Sequence, residues 1–353
     1  MATLARHDGG MTLSWDLQMR RRNRFAVRVE GAGPAGAAAA IAARQFGADV
    51  RIIERSRKPR HKVCGEFISP EACAVLQKLG SYDDLLDLNP ARMYRCRLHF
   101  GWRVKEWRLC EPALGLSRLE FDQLLLRRAV AGGASVVRGD LPRQETDSRE
   151  TAVVVATGRP GRAPKPGRLF GFKSHFEGPT DDAVELFFGD SGYIGVSRVE
   201  NDITNVCGLS SETTLRRYGF RFDDFIHDYK PLADRVKPLT RKMPWVSTGP
   251  LAFSSIGSQM SVQNIYQAGD ALGFVDPFTG SGILNALLTG RMAGASAAKG
   301  VAPDIYLREC RKLLGRPFAT SAVVRTLLEW GVAPSLAALI PGRWIYRLTR
   351  AGV

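Results

Sequence analysis

The spacing of apolar positions changes several times along this chain. From Phe25 to Val29 a short apolar, partly β-branched run leads straight into Gly31-Ala32-Gly33-Pro34-Ala35-Gly36. An alanine-rich stretch to Phe46 then reads as a helix that stops at Gly47, and Asp49 to Ile53 reads as a second strand closing at Glu54. Strand, glycine turn, helix and strand in this order predict a βαβ unit with a right-handed crossover. Pro70 to Leu79 has helical spacing, while Met93 to Phe100 and Arg103 to Leu109 flank a Gly-Trp turn and read as a hairpin. Ser117 to Ala131 is helical, with Leu119, Leu124, Leu125 and Val130 on one side, and Ala152 to Ala156 is a continuously apolar strand of the buried parallel kind.

Period-2 runs then follow at Leu169 to His175, Ala183 to Phe188, Gly192 to Arg198 and Ile203 to Leu209, separated by turn residues, which predicts an antiparallel meander. Arg216 to Val236 reads as helix, Val262 to Gln267 as a strand ending at Gly269-Asp270, and Gly282 to Ala298 as a helix of small residues. Residues 303–353 read as helical pieces broken by Pro317, Pro334 and Pro341.

This order predicts an α/β protein: a Rossmann-like βαβ domain with a central parallel sheet, interleaved with a mostly antiparallel sheet and followed by a C-terminal helical segment. The expected boundaries are a loose leader at 1–20, a discontinuous nucleotide-binding domain at 21–80, 110–165 and 255–302, a substrate-binding sheet domain at 81–109 and 166–254, and the helical segment from 303 onward.

Composition adds limits. The 353 residues are 44% hydrophobic, enough for a large core, and the net charge of +15 comes mostly from arginine spread over the whole length. No basic stretch is interleaved with aromatics as a nucleic-acid face requires, so no nucleic-acid partner is expected. The six cysteines include no C-x-x-C pair, which argues against zinc and against a redox dithiol, and no metal is expected. Free thiols, no secretory pattern and no long apolar window make a cytoplasmic protein the expectation.

The glycine run carries the first chemistry. Gly31 permits a tight turn, Gly33 lets the backbone approach a pyrophosphate, Gly36 lets helix and sheet lie close, and the helix N-terminus offers N–H groups to the phosphates. Glu54, at the end of the next strand, is placed to accept hydrogen bonds from ribose hydroxyls, which disfavours a 2′-phosphate and leaves FAD or NAD.

The residues Tyr266-Gln267-Ala268-Gly269-Asp270 with Pro277-Phe278-Thr279-Gly280-Ser281-Gly282 resemble the second FAD-binding motif of the para-hydroxybenzoate hydroxylase superfamily. They are most similar to its branch of geranylgeranyl reductases and flavin-dependent halogenases. The likeness extends to Gly31–Gly36, Glu54, Lys62-Val63-Cys64-Gly65, Ser117-Arg118 with Phe121-Asp122, and Gly192-Tyr193-Ile194-Gly195. It implies FAD as cofactor, held by Gly31, Gly33, Ala35, Gly36, Glu54, Arg55, Arg118, Thr157, Gly269, Asp270, Pro277, Gly280, Ser281 and Gly282. Asp270 would accept from a ribityl hydroxyl, and the helix opening at Gly282 would face the flavin's pyrimidine edge, where its dipole favours the negative charge of the reduced form.

One departure stands out. Where many hydroxylases carry an Asp-Gly pair, this chain has Ala156-Thr157-Gly158-Arg159-Pro160, which puts direct NAD(P)H reduction in doubt and leaves NAD(P)H or ferredoxin as electron donor.

For catalysis the candidates are Cys64, implied by the resemblance to lie close to the flavin, and His175 and Tyr193 on strands expected to cover it. The expected activity is FAD-dependent oxidation–reduction on a hydrophobic substrate, a prenyl lipid or an aromatic polyketide. It takes one of two forms: reduction of a double bond, or transfer of oxygen to an electron-rich ring. The alternative is a flavin- or lipid-binding protein without turnover. Leu327, Leu328, Trp330, Leu336, Leu339, Ile340, Trp344 and Ile345, set among arginines, read either as a peripheral membrane contact or as core-packing helices.

Overall fold

A computed structural model describes residues 26–139, 150–159, 168–189, 192–251, 253, 254, 256, 261–274 and 279–329. The leader, Pro277, Trp330 and the apolar C-terminal residues from Leu336 onward lie outside the described residues.

Two sheets share the chain. In the first, strands β1 (Ala26–Glu30) and β2 (Asp49–Glu54) flank helix α1 (Pro34–Gln45), as the βαβ pattern requires. β3 (Phe67–Ile68), α2 (Pro70–Lys78), α3 (Tyr82–Leu86), β4 (Ala91–Phe100), β5 (Arg103–Gly115) and α4 (Arg118–Ala131) follow, and then β6 (Ser135–Arg138) and β7 (Glu150–Val155) return to the first sheet. β8 (Leu169–Glu177), β9 (Ala183–Gly189), β10 (Gly192–Arg198) and β11 (Ile203–Ser211) follow, but only β9 to β11 form a meander: β8 pairs with β11, so the expected four-strand meander is corrected, the chain between Glu177 and Ala183 crossing past β11 and β10 instead of turning back on β8. The chain continues through α5 (Glu212–Arg217), α6 (Phe222–Asp228), α7 (Lys230–Val236), β12 (Thr240–Arg241), β13 (Val246–Leu251), β14 (Ile265–Gln267), α8 (Gly282–Lys299) and α9 (Pro303–Glu329). The parallel sheet has the order β14-β7-β1-β2-β6, and the larger sheet runs β12-β8-β11-β10-β9-β4-β5-β3 with β13 also on β8.

Three further expectations shift. The single helix over Arg216–Val236 is three short ones, because Gly219 and Phe220 turn the chain at positive φ and Pro231 opens a new first turn. The strand at Val262 shortens to Ile265–Gln267, Val262 making only an isolated bridge. Pro317 does not end its helix: α9 runs through it, and the hydroxyl of Ser321 donates to the Pro317 carbonyl at 2.7 Å.

Two helices set the geometry of the nucleotide end. Every residue of α1 from Pro34 to Ala43 is buried, and α8 lies against it backbone to backbone. A Cβ at Gly290 would stand 2.1 Å from the Ala35 carbonyl oxygen, and one at Gly294 would stand 2.0 Å from that of Ala39. The helices therefore run in the same direction, and the N-terminus of α8 at Gly282 stands roughly 10 Å ahead of that of α1, about seven residues at about 1.5 Å each.

The antiparallel strands are buried on two faces. Phe172, Phe176, Phe187, Ile194, Val196 and Val206 pack with Leu215, Phe222, Ile226, Leu232 and Val236 of α5 to α7. The opposite face is read as rungs of paired residues. The outermost holds Phe100, Phe188, Tyr193, Leu209 and Gly171; the next holds Leu98, Leu186, Gly195, Cys207 and Lys173; the innermost includes Ser197, Asn205 and His175. At about 3.3 Å per residue, roughly 13 Å separate the outermost from the innermost rung.

Candidate active site

The glycine turn is built as a phosphate cradle. Gly31 has φ +99°, and a Cβ there would meet the Ala156 carbonyl oxygen at 2.3 Å; a Cβ at Gly36 would stand 1.8 Å from the Gly31 oxygen. Only glycine fits these two positions. Gly33 is different: its Cβ direction is open, with the nearest atoms Arg118 Nη2 at 3.9 Å and Lys62 Nζ at 4.0 Å. An open space at a helix N-terminus, edged by two cations, suits a pyrophosphate.

Those cations are held in place. Asp122 accepts from Lys62 Nζ at 2.7 Å and from Arg118 Nε at 2.7 Å and Nη2 at 3.0 Å. Burial favours the neutral acid, but Arg118 and then Lys62 keep the Asp122 carboxyl below the usual carboxylate range. Glu54 lies on the other side of the turn, where Oε2 accepts the Ala32 N–H at 2.8 Å and Oε1 that of Ser56 at 2.7 Å. Against its partial burial, these backbone donors and Lys62 hold its pKa low. Arg55, next in sequence, is exposed.

The second stretch arrives beside the first. Gly269 has φ +61°, its N–H donates to Thr289 Oγ1 at 2.9 Å, and an added Cβ would meet Ala35 Cβ at 2.8 Å. Asp270 follows in a short 3-10 turn, where burial raises its carboxyl pKa against the opposing charges of Arg159 and Arg118. Gly280 has φ +64°, and the hydroxyls of Thr279 and Ser281 meet at 2.6 Å just before α8 starts at Gly282. Asn285, in the first turn of α8, is buried with neither its amide oxygen nor its amide nitrogen hydrogen-bonded among the described residues. An unpaired buried amide is costly, so a missing polar ligand is the natural partner. The open cradle at Gly33, the offset of the two helix N-termini and the unsatisfied Asn285 together fit an extended dinucleotide of FAD's kind.

Thr157 is exposed at the end of β7, with its Cα 3.3 Å from where a Gly31 Cβ would stand. Arg159, the residue after the departed Asp-Gly position, donates to Thr248 Oγ1 at 3.2 Å and stacks over Phe274 at 4.9 Å. It ties the end of the parallel sheet to the antiparallel one.

Of the three catalytic candidates, Cys64 and His175 come together and Tyr193 stands apart. Residues 61–66 cross this face from its innermost rung toward Gly171 on the outermost: Ser197 Oγ donates to the Gly65 oxygen at 3.1 Å, Asn205 Nδ2 donates to the Cys64 oxygen at 3.1 Å, and Val63 covers Gly171. The Cys64 thiol lies beside the Arg118 guanidinium. Burial opposes the positive charge there, yet Asp122 beside it holds it. Cys207 lies below Cys64, its thiol pKa pushed up by burial.

Beneath this segment is a group that sequence reasoning missed. Glu66 is fully buried at φ +54°, and its carboxylate accepts from Lys173 Nζ, from His175 Nε2 at 2.7 Å and from the Arg118 N–H at 2.6 Å. Despite burial, His175 and Lys173 hold the Glu66 pKa low. His61 packs edge-on to His175 at 5.1 Å. His61, Glu66 and His175 bring ligand atoms within 4.8 Å of one another, but the Lys173 ammonium already supplies the positive charge there, which disfavours a metal ion. Lys173 and His175, two apart and so on one face of β8, are the signal that could have revealed the cluster.

Tyr193 sits on the outermost rung, half-buried, its ring 6.1 Å from that of Phe188. With Phe100, Leu186 and Val184 it forms a half-open apolar strip that runs inward to Cys64 and the buried ions. No helix among the described residues is long and apolar enough to cross a membrane.

The sequence pattern of the FAD binding domain family matches residues 24–163. Menaquinone reductase of Mycobacterium tuberculosis is 28% identical over 307 residues, covering 76% of this chain and 75% of that protein. Digeranylgeranylglycerophospholipid reductase of Methanosarcina mazei is 24% identical over 349 residues, covering 86% and 84%. Among solved structures, a geranylgeranyl bacteriochlorophyll reductase-like protein from Thermoplasma acidophilum superposes with a TM-score of 0.68 at 21% identity, covering 94% of each chain. A flavin-dependent brominase superposes with a TM-score of 0.74 at 17% identity, covering 93% of each. The chain is an FAD-dependent oxidoreductase whose residues 24–163 match the FAD binding domain family, and in fold it is similar to a geranylgeranyl bacteriochlorophyll reductase-like protein and to a flavin-dependent brominase.

Proposed function

We propose that this flavoprotein reduces carbon–carbon double bonds in the prenyl chain of a lipid, with Cys64 as the proton donor. The observation that carries the reading is the graded face of the antiparallel sheet. Its outer rung is apolar and half-open at Phe100, Phe188 and Tyr193, and it leads to Cys64 and the buried Glu66 cluster. A long apolar chain lying on that strip would leave water behind and bring one double bond to the polar end. Relatives named as reductases of prenyl-bearing molecules, over about three quarters of both chains or more, agree with it.

FAD, when bound and reduced, supplies the hydride. Gly31 to Gly36, Glu54, Lys62 and Arg118 would hold its diphosphate half, and Asp270, Gly280 to Gly282 and Asn285 its ring half. Cys64 Sγ gives its proton to the carbon that does not receive hydride, and the thiolate left behind is stabilised by Arg118 beside it. His175 is a positioning residue: its Nε2 bond to Glu66 fixes the floor on which residues 61–66 rest. Tyr193 shapes the apolar strip rather than moving a proton. Electrons come from NAD(P)H or a ferredoxin, and Arg159 stands where hydroxylases carry the Asp-Gly pair.

The test is turnover without oxygen. Chemically reduced holoenzyme, given a geranylgeranyl lipid or menaquinone anaerobically, is expected to yield product heavier by one pair of hydrogens per saturated bond. Product that forms only with oxygen would overturn the reductase reading in favour of an oxygenase. Cys64→Ala should lower kcat by about 100-fold, the usual weight of a positioned proton donor, while FAD content stays unchanged.

A further inference from the structure

We infer that the β4–β5 hairpin is a docking point for an anionic lipid surface. Its tip, Gly101-Trp102, leaves Trp102 74% exposed and Val104 55% exposed. Such exposure of a large indole is not the result of a slack loop. The Tyr229 hydroxyl accepts the Gly101 N–H at 3.2 Å and donates to the Phe188 oxygen at 3.1 Å, which fixes the tip to the neighbouring strand.

The chemistry around the tip selects the partner. Arg103 pairs with Phe100 and Lys105 with Leu98, so two cations stand on the same face as the apolar strip, at its outer end. Glu106 faces the other way and is taken by Arg95 and Arg97. An indole beside cations, on a protein of net charge +15, matches the interface of a bilayer with negative headgroups, where tryptophan settles at headgroup level and lysine and arginine meet phosphate. The tip is also continuous with the site. Phe100 belongs to the outermost rung, so a hairpin seated in the headgroups opens the apolar strip toward the acyl layer from which a prenyl lipid would enter.

This docking does not depend on which reaction the flavin performs. The test uses the full FAD-loaded chain in sedimentation with phosphatidylcholine vesicles, with and without phosphatidylglycerol. The expected result is binding to the phosphatidylglycerol vesicles that weakens with added salt and that falls about tenfold in Trp102→Ser/Val104→Ser. Arg103→Glu should weaken the preference for anionic vesicles. Because these side chains are exposed, the variants should keep their FAD and melting temperature, which separates lost docking from lost folding. Equal binding to both vesicle types, unchanged binding in the Trp102/Val104 variant, or self-association that this variant abolishes in place of vesicle binding would each overturn the inference.

Discussion

Replacing Glu66 by alanine is expected to lower the free energy of unfolding by about 3–5 kcal/mol, the usual cost of stripping one partner from a buried ion pair. The carboxylate is fully buried and holds Lys173, His175 and the backbone N–H of Arg118 at once, so its loss strands a buried ammonium and frees the start of α4. Urea unfolding followed by circular dichroism measures the change. Pairing Glu66→Ala with Lys173→Met should recover part of the loss, because the stranded charge is then gone.

The same carboxylate gives a pH signature. Its folded pKa lies below the ordinary 4.5, so the stability it contributes is fully present above that value and is lost as pH falls through the depressed folded value. Wild-type stability should therefore drop as acid is added below about pH 4.5, and Glu66→Gln should show a shallower fall over the same range. Equal slopes in the two proteins would remove Glu66 from the account.

Gly294→Val is expected to cost more than the roughly 1–3 kcal/mol of an ordinary overpacked core. The new Cβ would stand 2.0 Å from the Ala39 oxygen and 2.8 Å from its Cα, atoms of helical backbone that cannot swing aside. Relief requires α8 to separate from α1, which also shifts Gly282 and Asn285 away from the cradle at Gly33. The variant should either fail to accumulate as folded protein or melt far below wild type with reduced FAD. Gly315→Val, at an exposed position inside α9 with no atom within 4 Å of the added Cβ, serves as the matched control and should melt no lower than wild type.

The parts of the fold that were legible in the sequence are those governed by local rules. The glycine turn, α1, the strand ending at Glu54 and the four antiparallel strands β8 to β11, though not the place of β8 beside β11, follow from period and from glycine's freedom at positive φ. The return of the chain at Gly269-Asp270 to Ala35 was legible only through a family likeness, because nothing local ties residues so far apart. What stayed hidden was the pairing of separate polar residues through space. Glu66 sits in a loop with no period, and its partners Lys173 and His175 come from a strand whose alternation reads equally well as a sheet facing water on one side. Asn285 looked like one more position in a small-residue helix. Its lack of partners appears only when the neighbours are in place.

The account stands on two distant stretches of chain holding one flavin between them, and the content of the purified protein tests that directly. Denaturing the folded, purified chain should release FAD, identified by its mass, at close to one equivalent per chain, or after stripping the chain should take up one equivalent on titration. A chain that is folded, colourless and indifferent to added FAD would contradict it.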